Sequence, residues 1–287
     1  MLVGASLAVH ENNWNALSSK DYGLTGLLAK IMLAGRGCAP DIKGPCLIVT
    51  SDYSGSHRGS SYEIYSILLG DLAYCSAWRE ARLSIRGDFL ADKRRISYKG
   101  LNDRQQRRAL KPFLDAADLI PGVCASLAVS KSVQSLFERD LAPVNPELID
   151  CLSWNKSLFE RALRIVHVVS FWIAGLSRPN QDVLWFSDED EIAANPERLT
   201  LLTKVWANVM NSYTTHPLRH LKCGTTKCDD GSKEIEDFAA IPDLVAGAVR
   251  LVDVHRRSIP AWPYRTFVPR FKGKSDPHRP VALISRS

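Results

Sequence analysis

Short β-branched runs alternate with longer segments of helical spacing along most of the chain. A segment of helical character over about residues 13–34 gives way to a turn-rich stretch, residues 35–45, containing RGCAPDIKGP. CLIVTSD then reads as a strand, SGSHRGSS as a turn, and Tyr62–Leu72 (YEIYSILLGDL) as a second strand, which predicts a β-hairpin pairing of the two. Trp78–Leu83 fits either the start of a helix or a third strand. Arg94–Lys99 (RRISYK) has the alternation of a short strand, and Asn102–Ala117 reads as a helix. Gly122–Val129 predicts a buried strand, Lys131–Arg139 the start of a helix, LAPVNPE a loop, and Lys156–Leu176 the clearest helix in the chain. Next come a strand ending in acid over Gln181–Asp188, a helix over Glu197–Tyr213, a strand over His216–Thr226, the polar loop CDDGSKE, and a helix starting near Ile241 or Pro242. Strands interleaved with helices in this order specify an α/β fold. The expected units are an N-terminal helical segment (1–44), a main domain (45–255) and an extended C-terminal arm (256–287) rich in Pro, Arg and Lys.

Composition narrows the class. At 287 residues, 45% hydrophobic and 24% charged, the chain has globular statistics, which excludes disordered and fibrous classes. The apolar stretch 165–176 is broken by His167, Ser170 and Trp172 and falls short of the roughly 18 apolar residues a membrane span needs, so no membrane partner is expected. The first residues lack a basic n-region and reach a charge at Glu11, unlike a secretory or transit peptide, so a cytoplasmic location is expected. Seven scattered cysteines in a chain of this size point to reduced thiols. A formal charge of +6 permits a polyanionic partner.

Three acids carry the candidate chemistry: Asp52 after LIVTS, Asp188 after VLWFS, and Asp243 at the start of PDLVAGAVRLV. If the two strands are neighbours, their ends place both carboxylates at one sheet edge, and a helix N-terminus can bring the third. Hard cations such as Mg²⁺ prefer such oxygen ligands, and two of them can stabilise the attacking and leaving oxygens of a phosphodiester. Each acid also has a structural reading. Asp52 suits a turn or helix cap, Asp188 the solvated start of the acidic run DEDE, and Asp243 ordinary first-turn chemistry after Pro242. Only the trio raises a metal site above these.

The combination of SDYSG after an apolar strand, a later strand ending in acid, and IPDLVAGAV near the end resembles the large bacterial domain-of-unknown-function family numbered thirty-eight hundred. The resemblance runs from about Cys46 to Val252. It implies a ribonuclease-H-like mixed sheet flanked by helices and a metal-dependent nuclease activity using Mg²⁺ or Mn²⁺. Carried over, the family's acids fall on Asp52, on Asp188 with Glu189 or Asp190 as substitutes, and on Asp243. Lys99 in ISYKG resembles a family lysine that would neutralise a scissile phosphate. Tyr53 stands where the family commonly has Glu, and Ile241-Pro242 where Leu-Ala or a similar pair would stand. Sites of this type often have a further acid, for which the candidates are Glu63, Asp71 and Asp88.

Basic residues cluster in DKRRISYKGLNDRQQRRALK. Arg104, Arg107, Arg108 and Lys111 stand at helical spacings that could turn one face to a phosphate backbone, with Arg94 and Arg95 just before them; a solvated helix face looks the same. The arm adds His255, Arg256, Arg257 and RFKGK, with Trp262, Tyr264 and Phe267 as stacking or packing groups. HPLRHLKCGTTKC, with His216, His220, Cys223 and Cys228, has ligand types suited to zinc without a clear finger spacing. Ser54, Ser56 and His57 lack a G-x-S-x-G elbow, and no P-loop motif occurs.

Two functions compete. One is a nuclease acting on DNA or RNA, of a type that fits bacterial defence or a toxin by association alone. The other is a non-catalytic, degenerate module that binds nucleic acid or a partner protein. A partner chain or a homo-oligomer is compatible with either.

Overall fold

The structure is a computed structural model that describes residues 14, 15, 17, 29, 40–133, 154–255 and 264–267. In chain order its elements are β1 (Cys46–Ser54), β2 (Tyr62–Asp71), α1 (Ser76–Phe89), α2 (Arg104–Ala117), β3 (Gly122–Ser130), α3 (Lys156–Leu176), β4 (Asp182–Ser187), α4 (Pro196–Tyr213), β5 (His220–Thr225), α5 (Glu234–His255) and β6 (Tyr264–Phe267).

β1, β2 and β3 form an antiparallel meander, Leu47 opposite Asp71 and Tyr62 opposite Ser130. The paired apolar runs zip as the hairpin pattern anticipates. Gly55, at φ +86, makes the turn out of β1 in a conformation that L side chains rarely adopt. β4 and β5 extend the other edge of β1 in parallel, and β6 pairs with β3, giving the order β5-β4-β1-β2-β3-β6. Parallel neighbours need a crossover, and α4 supplies it between β4 and β5.

Period-two alternation sorts the sheet's side chains onto two cores. Leu47, Val49, Tyr65, Ile67, Val183 and Trp185 pack with α3 and α4 on one face. Ile48, Leu68 and Cys124 pack on the other with Trp78 and Ile85 of α1, Phe113 of α2, and Phe238 and Leu244 of α5. The chain is therefore an α/β protein with a mixed sheet and helices on both faces. α3 shows why the pattern was so legible. Asn155 caps it, its side chain accepting from Leu158 N–H at 2.8 Å, and the helix buries residues around most of its circumference. Among the described residues no helix is long and apolar enough to cross a membrane. Cys46, Cys75, Cys124, Cys223 and Cys228 are free thiols.

Several expectations change. Arg94–Lys99 is not a strand but an irregular connection that ends in a 3₁₀ turn, Lys99–Asn102; its alternation reflects one anchor, Ile96, that drops into the core. Trp78–Leu83 belongs to a helix. The strand over His216–Thr226 is shorter, beginning at His220. Residues 131–133 turn away after β3, and the rest of the helix expected over Lys131–Arg139 lies outside the described residues, as does nearly all of the segment 13–34.

The last helix starts at Glu234 rather than near Ile241 or Pro242. Asp229 organises that start, its carboxylate accepting from the N–H groups of Lys233 at 2.8 Å and Ile235 at 2.8 Å. Pro242 thus lies inside α5, where it has no N–H for the carbonyl four residues back, that of Phe238. That carbonyl accepts instead from Thr50 Oγ1 of β1 at 2.9 Å. The proline's missing bond becomes a tie between α5 and the central strand, next to the candidate acids.

Candidate functional site

β1 and β4 run parallel with Ser51 opposite Ser187 as their last registered pair. Asp52 and Asp188 stand one position further on, on the α5 side that Thr50 and Phe186 also face. Asp243 projects from the middle of α5, one residue past Pro242. The three line one cleft of about 600 Å³ together with Arg95, Tyr98, Lys99 and Arg250, so all three sequence-derived acids and Lys99 share a site. Gly247, one turn after Asp243, lets the Tyr98 ring lie against the helix; a Cβ there would meet the ring at 2.1 Å. The backbone N–H of Tyr98 in turn donates to Asp243 Oδ2 at 2.7 Å.

The electrostatics of the trio are uneven. Burial, then Asp243 and Asp188, push the Asp52 carboxyl up from 3.8 to about 7, against the pull of Arg95. Burial raises Asp243 as well, opposed by the Tyr98 N–H, Arg95 and Lys99. Away from a helix N-terminus, Asp243 has no dipole to stabilise its charge. Burial also works against the charge of Asp188, yet its bonds with Arg95 outweigh that and hold it below the usual carboxylate value. Arg95 Nη1 and Nη2 donate to its two oxygens at 3.2 and 3.1 Å, with Thr226 Oγ1 and Glu189 N–H also on Oδ1 at 3.3 and 3.0 Å.

The donor set suits a hard divalent cation chemically: three carboxylates, one of them raised to about 7 by burial and by the other two. As the side chains stand, however, no group of three or more His, Cys, Asp or Glu among the described residues is arranged to hold a metal ion. Asp188 is turned to Arg95, and Asp243 to Tyr98.

The other candidates lie elsewhere. Glu189 pairs with Lys227 at 2.8 Å and Asp190 with Arg161 at 3.1 Å. Tyr53 points to the opposite face, its hydroxyl 2.6 Å from Ser51 Oγ and its ring beneath the Arg161 guanidinium, so its side chain neither adds to nor blocks the trio. Of the candidates for a further acid, Glu63 meets Arg164 at 3.3 Å, Asp71 accepts from the N–H of Lys43 and Gly44 at 3.0 and 2.7 Å, and Asp88 sits on exposed α1; none lines the cleft.

Arg94 is engaged by Asp92 and by Asp103 at 3.1 Å. Arg104, Arg107, Arg108 and Lys111 occupy the exposed side of α2, which begins two residues after Asn102 at the cleft wall; Arg108 also lies over Phe89 and Lys111 pairs with Asp115 at 2.6 Å. In the stretch read as suited to zinc, His216 Nε2 is 3.0 Å from Ser177 Oγ and His220 Nδ1 is 2.8 Å from Asp182, while strand alternation puts His220 and Cys223 on opposite faces.

Two residues that line the cleft, Arg250 and Tyr98, and Thr226, which bonds Asp188 from beside it, carry no sequence signal for these roles. Arg250, one turn beyond Gly247, had no pattern to mark it. Thr226 and Tyr98 reach the acids through short loops whose course local periodicity does not encode. Compared with known proteins, the chain matches no family model and no curated sequence.

Proposed function

We propose that the chain is a ribonuclease-H-like nuclease that hydrolyses phosphodiester bonds of DNA or RNA with Mg²⁺ or Mn²⁺ held by Asp52, Asp188 and Asp243. The observation that carries this reading is the convergence of three carboxylates, from β1, β4 and α5, in one cleft that also presents Lys99 and Arg250. The antiparallel meander extended in parallel beside β1, with the last helix returning across β1 to bring the third acid, supports the ribonuclease-H-like build. A divalent cation there would supply positive charge to the attacking and leaving oxygens of the ester.

The protein's own residues do the rest. Lys99, exposed at the rim, meets a non-bridging phosphate oxygen, and the basic side of α2 continues from the rim to track the backbone of the nucleic acid. Tyr98 fixes the Asp243 carboxylate, and the Thr50–Phe238 bond holds α5 against β1 so that Asp243 and Asp52 keep their relative placement.

One observation favours a second reading, a binding module without catalysis: the Arg95–Asp188 pair satisfies one acid with a guanidinium where a nuclease needs a metal. Cleavage of a panel of labelled single- and double-stranded DNA and RNA with millimolar Mn²⁺ or Mg²⁺ separates the two. The nuclease reading expects metal-stimulated cleavage that Asp52→Ala abolishes in a variant with an unchanged circular dichroism spectrum. Salt-sensitive binding with no cleavage in any metal, or cleavage unchanged in Asp52→Ala, would refute it.

A further inference from the structure

We propose that Arg95 is an exchangeable counter-ion of this cleft, which sits on Asp188 and must leave before a divalent cation can be held there. The inference rests on the metal-dependent reading above and adds a residue that sets when the site opens.

Geometry separates this pair from the structural ion pairs nearby. Asp237 of α5 is buried, and Arg82 and Arg86 grip it at 2.9, 2.6 and 2.5 Å, within or below the usual range of charge-assisted bonds. Arg95 reaches Asp188 at 3.1 and 3.2 Å, beyond that range, although it addresses both oxygens. Its Nε is shielded from solvent and has no hydrogen-bond acceptor, so the seat leaves a donor unsatisfied. The two side chains are 30% and 41% exposed, which gives the guanidinium a path into the open cleft. Thr226 and the Glu189 N–H remain on Asp188 Oδ1 when Arg95 departs, so the carboxylate keeps its orientation.

Charge supplies the driving force. Asp52, Asp188 and Asp243 crowd together, and Arg95 is the cleft cation hydrogen-bonded to Asp188; a doubly charged ion that takes several oxygens compensates this set better than a planar cation that reaches a single carboxylate. Asp188 Oδ1 already accepts from Arg95, Thr226 and the Glu189 N–H, and Oδ2 accepts from Arg95, so the guanidinium competes with a metal for this carboxylate. Removing the guanidinium therefore frees a ligand and takes a positive charge out of the site, and both effects favour metal.

The test is direct Mn²⁺ binding, with free ion followed by its electron paramagnetic resonance signal in wild type, Arg95→Gln and Arg95→Lys, and Asp188→Asn as the control expected to lose binding. Arg95→Gln is expected to tighten Mn²⁺ binding by about two- to fivefold, the scale set by a part-exposed ion pair. Arg95→Lys, which cannot address both oxygens, is expected to fall between Gln and wild type, and it carries the test if the Gln variant does not fold. Wild type that binds Mn²⁺ with both variants equal to it or weaker would overturn the counter-ion role and leave the nuclease reading standing. No binding at millimolar Mn²⁺ by wild type or a folded variant would overturn both. Wild type silent with a variant that binds would support the counter-ion role in its strongest form.

Discussion

Asp52→Asn should stabilise the metal-free protein, and the gain should depend on pH in a defined way. In the folded chain burial and the neighbouring carboxylates raise the Asp52 carboxyl from 3.8 to about 7, whereas in the unfolded chain it titrates near 3.8. The folded state thus holds the proton more tightly. Stability is unaffected by this group below the unfolded value, is lost as pH rises past it, and reaches its full deficit above about 7. At 1.36 kcal/mol per pH unit of separation, the full deficit is about 4 kcal/mol. An asparagine of the same shape carries none of it. Urea denaturation of both proteins in chelator should therefore give equal stabilities at pH 3 and an advantage for Asp52→Asn that grows to about 4 kcal/mol at pH 9. Subtraction of the two curves cancels the titrating groups that do not interact with Asp52, leaving Asp52 together with its neighbours Asp188 and Asp243. An advantage independent of pH, or none at pH 9, would refute the argument that burial and the neighbouring carboxylates raise Asp52. The same substitution should cost the protein its metal-stimulated cleavage, so a stability gain and a loss of function would arise at one residue.

Thr50→Val keeps the shape of the side chain and removes the hydroxyl, which leaves the Phe238 carbonyl beside Pro242 without its partner; a loss of about 1–3 kcal/mol in urea denaturation is expected, and no loss would mean the tie between α5 and β1 is idle. Asp237→Asn leaves Arg82 and Arg86 buried without their shared counter-charge and should cost about 3–5 kcal/mol by the same measurement. A cost under about 1 kcal/mol would contradict the structural role given to that pair.

β1, β2, β3 and β4 are legible because they are short, mostly apolar runs whose side chains divide between two faces, as Leu47, Val49 and Ser51 divide from Ile48 and Thr50. Asp52 and Asp188 could be placed together once two such runs ended in acid, since neighbouring strands present their ends at one edge. The start of α5 was misread because Pro242 resembles a first-turn residue. What overrides that signal is a side chain from β1, 188 residues away in sequence, that takes over the orphaned carbonyl. Arg94–Lys99 alternates like a strand, but only Ile96 enters the core while Tyr98 rests on Gly247. The basic neighbours of Arg95 point it toward nucleic acid. Its ion pair with Asp188 spans 93 residues and leaves no trace in local composition.

Anomalous diffraction from crystals grown with millimolar Mn²⁺ would read out whether Asp52, Asp188 and Asp243 together form the proposed cation site. A manganese peak ligated by these carboxylates is expected, with Arg95 withdrawn from Asp188. A well-ordered cleft with Arg95 still on Asp188 and no manganese among the three acids would contradict it.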